Sequence, residues 1–155
     1  MKDDRFVLLL GRTSDDPSVV EFLKAHDIEK RPKLDKGLFD AILLNHKKGL
    51  EITFTDERHL DVKSDKYEDG DLVLSNIRFY GEGHKTFKPY TGPLPLGLSF
   101  KLDRKSSQEL LGRKPDVMNK DLGKARWDFK EYCVFLTYNK AYTEIGVIAI
   151  QLPLK

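Results

Sequence analysis

Four histidines are the first residues to test for a catalytic base or a metal site, because imidazole titrates near neutral pH and binds transition metals. They are His26, His46, His59 and His84, and no two of them stand at the short spacing of a metal-binding pair. A zinc site needs at least three convergent ligands, whereas these residues fall at a predicted helix end and in separate turns or loops. We therefore expect structural or solvated histidines, with neither a metal ion nor a cofactor.

The single cysteine, Cys133, excludes an internal disulfide and is a candidate thiol nucleophile. A reactive thiol needs an accessible, electropositive setting, whereas Cys133 lies within an apolar run at residues 132–138. The sequence favours a packing role for it. A small enzyme whose site is assembled from His59, Asp61 or Cys133 remains an alternative, because a sequence does not show which side chains the fold brings together.

An acidic segment at residues 56–71 is a candidate for contact with a partner protein. Its carboxylates outnumber its basic side chains, and long loops often carry function. Such a segment attracts a basic surface, and an aromatic side chain at its centre is suited to anchor the contact. An ordinary solvated loop is the alternative. The predicted contact residues here are Asp56, Glu57, Tyr67, Glu68, Asp69 and Asp71.

Cations and aromatic rings are interleaved from Arg78 to Tyr90, as they are in proteins that bind single-stranded nucleic acid. However, the chain carries 27 Lys and Arg against 25 Asp and Glu, and a formal charge of +2 provides little long-range attraction for phosphate. Gly81 and Gly83 also interrupt the run. Nucleic-acid binding is therefore kept as an alternative, and a protein partner is favoured.

The composition is typical of a globular protein. The chain has 155 residues, of which 39% are hydrophobic and 34% are charged, and this excludes a disordered or fibrous chain. No apolar run approaches the roughly 20 residues of a membrane-spanning helix, and none has the length of a signal-peptide core. We expect a cytoplasmic monomer that does not enter a membrane.

Each half of the chain is predicted to have one helix followed by three strands. In the first half, residues 17–26 have helical periodicity, and Asp16 and Pro17 suit the helix start. In the second, a helix at residues 104–111 follows Asp103 and ends at Gly112. Alternating apolar residues predict strands at residues 39–44, 50–55 and 72–80, and again at residues 125–130, 132–138 and 144–152.

Glycines and prolines crowd residues 81–97 and divide the chain into residues 1–90 and 91–155. The predicted fold class is α+β, with two repeated helix-plus-three-strand units that form one mainly antiparallel sheet with both helices on one face. Leu23, Leu110 and Trp127 are predicted core residues. The alternative is two unrelated halves that share an order of elements. On the free face, strand alternation places a second set of predicted contact residues, Arg78, Tyr80 and Phe135.

A pattern in the second half resembles a known family. It comprises the segment YTGPLPLGLSF at residues 90–100, then Asp103 and Arg104, the helix end Leu110-Leu111-Gly112 before Pro115, Arg126-Trp127-Asp128 and the last strand. It is similar to that of immunity proteins of bacterial polymorphic toxin systems. Their tandem-repeat fold is like that of the β-lactamase inhibitor protein and the small lipoprotein of outer-membrane assembly. The match covers residues 90–152 best.

The resemblance implies a non-catalytic binding protein that neutralises a cognate toxin domain by occluding its active site. It carries over no catalytic residues, because the resembled proteins act by binding. This chain departs from the pattern by one extra residue before Pro115, and it has no lipid-bearing cysteine near residue 1.

Overall fold

Seven β-strands form one antiparallel sheet in the computed structural model, which describes residues 4–61 and 64–154. Helices α1 (Pro17–Ala25) and α2 (Arg104–Leu111) precede the strands of each half. The strands are β1 (Asp40–Asn45), β2 (Leu50–Asp56), β3 (Leu72–Tyr80), β4 (Val117–Asn119), β5 (Lys124–Asp128), β6 (Cys133–Tyr138) and β7 (Ile145–Gln151). They lie in the order β1-β2-β3-β7-β6-β5-β4, and every neighbouring pair is antiparallel. The predicted α+β class with a mainly antiparallel sheet is confirmed.

Both helices begin at the predicted residues because an aspartate caps each of them. The carboxylate of Asp16 accepts the backbone N–H of Ser18 at 2.9 Å, and that of Asp103 accepts the N–H of Ser106 at 2.7 Å. These bonds satisfy backbone donors that have no partner inside a helix. Gly112 ends α2 with a φ of 85°, a left-handed conformation that glycine adopts without strain.

The core lies between the helices and one face of the sheet. Leu23 of α1 and Trp127 of β5 are 3% and 0% exposed, and both belong to one apolar cluster, as predicted. The prediction for Leu110 was wrong, because this side chain is 38% exposed. The short helix α2 instead turns the small, fully buried Ser107 towards the sheet and packs the half-buried Leu111 against the cluster.

The second half has four strands where three were predicted. The additional strand β4 pairs with β5 at the edge of the sheet, with Val117 opposite Arg126. The last strands of the two halves, β3 and β7, pair with each other at the centre. Between the halves, residues 81–97 form neither an α-helix nor a strand and end in a 3₁₀ turn, Pro95–Gly97. Within the described ranges, no helix has the length and apolar character needed to cross a membrane.

Candidate functional site

The sheet face opposite the core is the candidate binding surface, and we call it the open face. Both helices pack on the core face, so no helix covers this second face in the described part of the chain. Successive side chains of a strand point to opposite faces, so every second residue lies on the open face. These residues include polar, charged and apolar side chains. Its main members are Ile42, Leu44, Glu51, Thr53, Asn76, Arg78, Lys124, Arg126, Phe135, Thr137, Val147 and Ala149.

One row of side chains crosses the centre of the open face from β2 to β5. The strand register places Glu51 beside Arg78, Arg78 beside Ala149, Ala149 beside Phe135, and Phe135 beside Arg126. The small Ala149, between Arg78 and Phe135, is 1% exposed, so larger neighbouring side chains cover it. An aromatic ring with an arginine on either side is a composition typical of the centre of protein interfaces.

The two arginines of this row keep polar atoms without a hydrogen bond. Arg78 Nε and Arg126 Nε are buried and make no hydrogen bond to any described residue. Arg126 Nε also lies 3.0 Å from the Asp128 carboxylate, which forms an ion pair without hydrogen-bond alignment. Asn76 donates from Nδ2 to Gln151 Oε1 at 3.0 Å, while its buried Oδ1 has no partner in the described ranges. Buried polar groups are normally paired, so the unbonded Arg78 Nε and Asn76 Oδ1 are unusual features of this face.

Two cavities lie on the open face and meet at Arg78. One of about 450 Å³ extends over β1 to β3, and His59 and Asp61 contribute to its wall. The other, of about 470 Å³, extends over β3 to β5 and is lined by Phe135 and His84. Arg78 lines both cavities, so they adjoin at this residue.

Tyr80, a predicted contact residue of this face, is largely covered by the chain that follows it. Its ring stacks on Phe87 with 3.9 Å between centroids, and only 6% of the residue is exposed. Its hydroxyl donates to Glu51 Oε1 at 3.0 Å. Burial, followed by the negative charge of Glu51, raises the pKa of Tyr80, so the hydroxyl remains a donor at neutral pH. Tyr80 thus positions Glu51 beside Arg78 and offers little surface of its own.

The acidic segment presents fewer free charges than its sequence indicates. Asp56 is 2% exposed and pairs with Arg58, so its charge is compensated within the protein. Tyr67 is half-buried and its hydroxyl donates to the carbonyl of Gly11 at 2.5 Å. Residues 62 and 63 lie outside the described ranges. The remaining predicted contact residues comprise the half-buried Glu57, the exposed Glu68 and Asp69, and Asp71, whose carboxylate accepts the backbone N–H of Glu68 at 2.8 Å.

The residues of the enzyme alternative do not form one group. His59 and Asp61 line the same cavity, and the ring of His59 stacks on Phe39 with 4.2 Å between centroids. Cys133 does not line that cavity and is 1% exposed. Burial and then a hydrogen bond from Sγ to the Asp128 carboxylate raise the pKa of the Cys133 thiol to about 11. The thiol is therefore protonated, and a protonated thiol is a poor nucleophile.

The other histidines contact their own surroundings. His26 Nδ1 lies 2.9 Å from the carbonyl oxygen of Phe22, and His46 Nδ1 lies 3.1 Å from that of Thr86. Among residues 4–61 and 64–154, no three His, Cys, Asp or Glu side chains are grouped closely enough to hold a metal ion.

The aromatic residues of the nucleic-acid alternative pack inside the protein. Phe87 and Tyr90 are 8% and 7% exposed. Phe87 stacks on Tyr80, and Tyr90 contacts Phe79 edge-on at 4.9 Å and donates from its hydroxyl to the carbonyl of Pro93 at 2.8 Å. A nucleobase needs an accessible ring face for stacking, and these rings use theirs within the fold.

Arg126 of the central row was not among the predicted contact residues, although the sequence could have indicated it. Arg126 alternates with the buried Ala125 and Trp127, and this two-residue period places it on the open face. The comparisons with known proteins find no matching family model, no matching curated protein and no matching solved structure.

Proposed function

We propose that the protein is a non-catalytic binding protein, an immunity protein that covers the active site of a cognate toxin domain with its open face. The single observation that carries this proposal is the uncovered sheet face, on which two cavities adjoin at Arg78 beside the ring of Phe135. The family resemblance of residues 90–152 supports the choice of a toxin as the partner. Because such a toxin acts in the cytoplasm of the protected cell, we place the complex there.

Occlusion requires a rigid surface and a few strong anchors. The open face lies on a sheet whose other side is fully packed, so its side chains are held by the backbone of five adjacent strands from β2 to β5. Phe135 is half-exposed and provides apolar contact area near the middle of the row. Acidic or carbonyl groups of the toxin would pair with the partly exposed guanidinium groups of Arg78 and Arg126, and this gives the contact its orientation.

We also propose that the two halves are copies of one unit. Each half has a helix followed by an antiparallel run of strands, and their last strands, β3 and β7, pair at the centre of the sheet. A duplicated unit explains this arrangement simply, with β4 as an addition to the second copy. A sheet made of two such copies is wide enough to cover a whole active-site cleft.

The test is co-expression of the full chain with the polypeptide encoded beside its gene, followed by affinity purification and a growth assay. We expect the two chains to co-purify and the host cells to survive. Arg78→Glu combined with Phe135→Ala should abolish both results. Lys140→Glu, in the exposed turn between β6 and β7, is the matched control and should change neither.

Two outcomes contradict different parts of the proposal. Protection that persists in the Arg78→Glu, Phe135→Ala variant moves the contact away from the open face. A neighbouring product that is not toxic, or that the unchanged chain neither binds nor neutralises, refutes the immunity function itself.

A further inference from the structure

The cavity over β3 to β5 is lined by cations and by no carboxylate of the described ranges. Its basic lining residues are Arg78, His84, Lys124 and Arg126. Lys124 is exposed, and neither it nor Arg78 forms an ion pair with a described residue. Arg126 pairs with Asp128 at 3.0 Å, which compensates part of its charge, although 33% of its side chain is exposed. This cavity therefore attracts negative charge.

The neighbouring cavity, over β1 to β3, has the opposite balance. Three carboxylates line it, those of Asp40, Glu51 and Asp61, against the basic side chains of His59 and Arg78. Hydroxyl groups of neighbouring residues donate to Asp40 and Glu51 at 2.7 and 3.0 Å, and these bonds hold both carboxylates in place without neutralising them. The open face thus changes from negative to positive along the sheet, with Arg78 at the boundary.

The distance between the two cavities limits what can occupy both. The first is centred near β2 and the second near β7 and β6, so two to three strand spacings separate them. At about 4.8 Å per spacing, the separation is roughly 10 to 14 Å. The two charges of a free amino acid lie much closer together than this. A ligand that places one charge in each cavity is therefore larger.

A protein surface fits this pair of cavities better than other large partners do. A nucleic acid or an anionic membrane carries phosphates throughout, and would bring them against Asp40 and Glu51 as well as against Lys124. A second copy of this chain presents cavities at the same positions, and two concave faces do not fill each other. A partner protein can project side chains of both signs into the two cavities.

We propose that the open face receives two oppositely charged side chains of its partner protein. An Asp or Glu enters the cavity over β3 to β5, and a Lys or Arg enters the cavity over β1 to β3, with roughly 10 to 14 Å between their charges. The inference rests on the proposed function for the identity of the partner as a toxin, and it adds the chemistry of recognition. Two opposite charges also fix the orientation of the partner, because rotation by half a turn brings like charges together.

NMR titration of the full chain with blocked amino acids tests the two cavities without any partner. N-acetylglutamate methylamide should shift the amide signals around Lys124 and Phe135, whereas N-acetyllysine methylamide should shift those around Asp40 and Glu51. N-acetylglutamine methylamide is the uncharged control and should shift neither group. Lys124→Glu should reduce the response to the glutamate probe by at least about fivefold, because it opposes like charges.

Binding to the polypeptide encoded beside the gene tests the same two contacts in the complex. Lys124→Glu and Asp40→Lys, in variants that keep their melting temperature, should each weaken its affinity by at least about tenfold. Lys105→Glu and Glu109→Lys are the matched controls. They make the same charge changes at exposed positions of α2, which packs on the core face, and should change the affinity by less than about twofold.

Four results overturn the inference. They are probe responses that do not depend on the sign of the charge, a complex that tolerates both reversals, saturable binding of a single-stranded oligonucleotide that Lys124→Glu abolishes, and a dimer of this chain that Lys124→Glu dissociates. A different result refutes the immunity function alone. It is the expected response to both probes together with a neighbouring product that does not bind the unchanged chain.

Discussion

The guanidinium of Arg58 holds the carboxylate of Asp56 through two hydrogen bonds. Arg58 Nη2 donates to Asp56 Oδ2 at 2.7 Å, and Arg58 Nε donates to Asp56 Oδ1 at 3.1 Å. The backbone N–H of Arg58 also donates to Oδ1, at 3.0 Å. Asp56 therefore ends β2 and begins the 3₁₀ turn Glu57–His59 with a buried charge that is fully bonded.

The first prediction concerns stability at low pH. The side-chain hydrogen bonds from Arg58, and then its backbone N–H, lower the pKa of Asp56 to about 2. Since the pKa in the unfolded chain is higher, near 3.8, the resulting stabilisation is complete above that value and is lost as the pH falls towards 2. Chemical denaturation measured at intervals from pH 6 to pH 2 should show this loss.

Asp56→Asn should reduce the loss of folding stability that occurs as the pH falls towards 2. At neutral pH it should lower the free energy of unfolding by about 1 to 3 kcal/mol, because it removes a charged acceptor from a buried network. Asp69→Asn is the control, since Asp69 is exposed in the same segment. If both variants lose stability equally with pH, the pairing with Arg58 is not the source of the effect.

The sequence predicted the bounds of an element correctly where residues within or beside that element mark them. The bounds of α2 and β3 agree with the prediction, because a cap, a glycine stop and a long apolar alternation mark them. The strand β4 was missed because three residues, Val117–Asn119, are too few to show a period. Its pairing depends on β5, which is a tertiary contact.

The candidate site was only partly predictable for a similar reason. Arg78 and Phe135 follow strand alternation and lie on the open face as predicted. Tyr80 follows the same period but is covered by Phe87, which reaches it from a loop with no periodic signal. The internal pairing of Asp56 is also invisible in a count of acidic residues, since it depends on the conformation of the turn after β2.

The second prediction tests the core under α1. Leu23 is 3% exposed within the apolar cluster. Leu23→Ala should lower the free energy of unfolding by about 2 to 5 kcal/mol, as large-to-small changes in a core do. Lys24→Ala, at an exposed position of the same helix, should change it by less than about 0.5 kcal/mol. Urea denaturation of the three proteins compares these values, and equal stability of Leu23→Ala and the unchanged chain would refute the packing of α1.

The third prediction is that the thiol of Cys133 is inert in the folded protein. With a pKa of about 11, only about one thiol in a thousand is ionised at pH 8, and the side chain is also buried. A thiol-specific reagent such as DTNB should therefore modify Cys133 slowly, and rapidly once denaturant is added. Lys140→Cys should add one fast-reacting thiol as an internal control. Rapid modification of Cys133 in the native chain would instead support the enzyme alternative.

The fourth prediction tests whether the hydroxyl of Tyr67 stabilises the fold or contacts the partner protein. Because its hydroxyl donates to the Gly11 carbonyl, Tyr67→Phe should lower stability by about 1 kcal/mol. It should leave binding to the cognate toxin unchanged, since the ring itself is retained. Loss of affinity in this variant, at unchanged stability, would show that the hydroxyl contacts the partner.

The fifth prediction separates the open face from the acidic segment by binding kinetics, and it applies once a cognate toxin is in hand. Phe135→Ala should raise the dissociation rate by about tenfold or more, because an anchor near the centre of an interface stabilises the formed complex. Reversal of the exposed Glu68 and Asp69 to lysine should instead lower the association rate and its dependence on salt, because exposed charges act during the approach of the partner.

The two effects are independent, so measuring both variants at two salt concentrations decides which surface makes the contact. An increase in dissociation limited to Phe135→Ala assigns the contact to the open face and restricts the acidic segment to steering. If Phe135→Ala dissociates at the unchanged rate while the reversal of Glu68 and Asp69 raises dissociation as well as slowing association, the acidic segment is the contact surface.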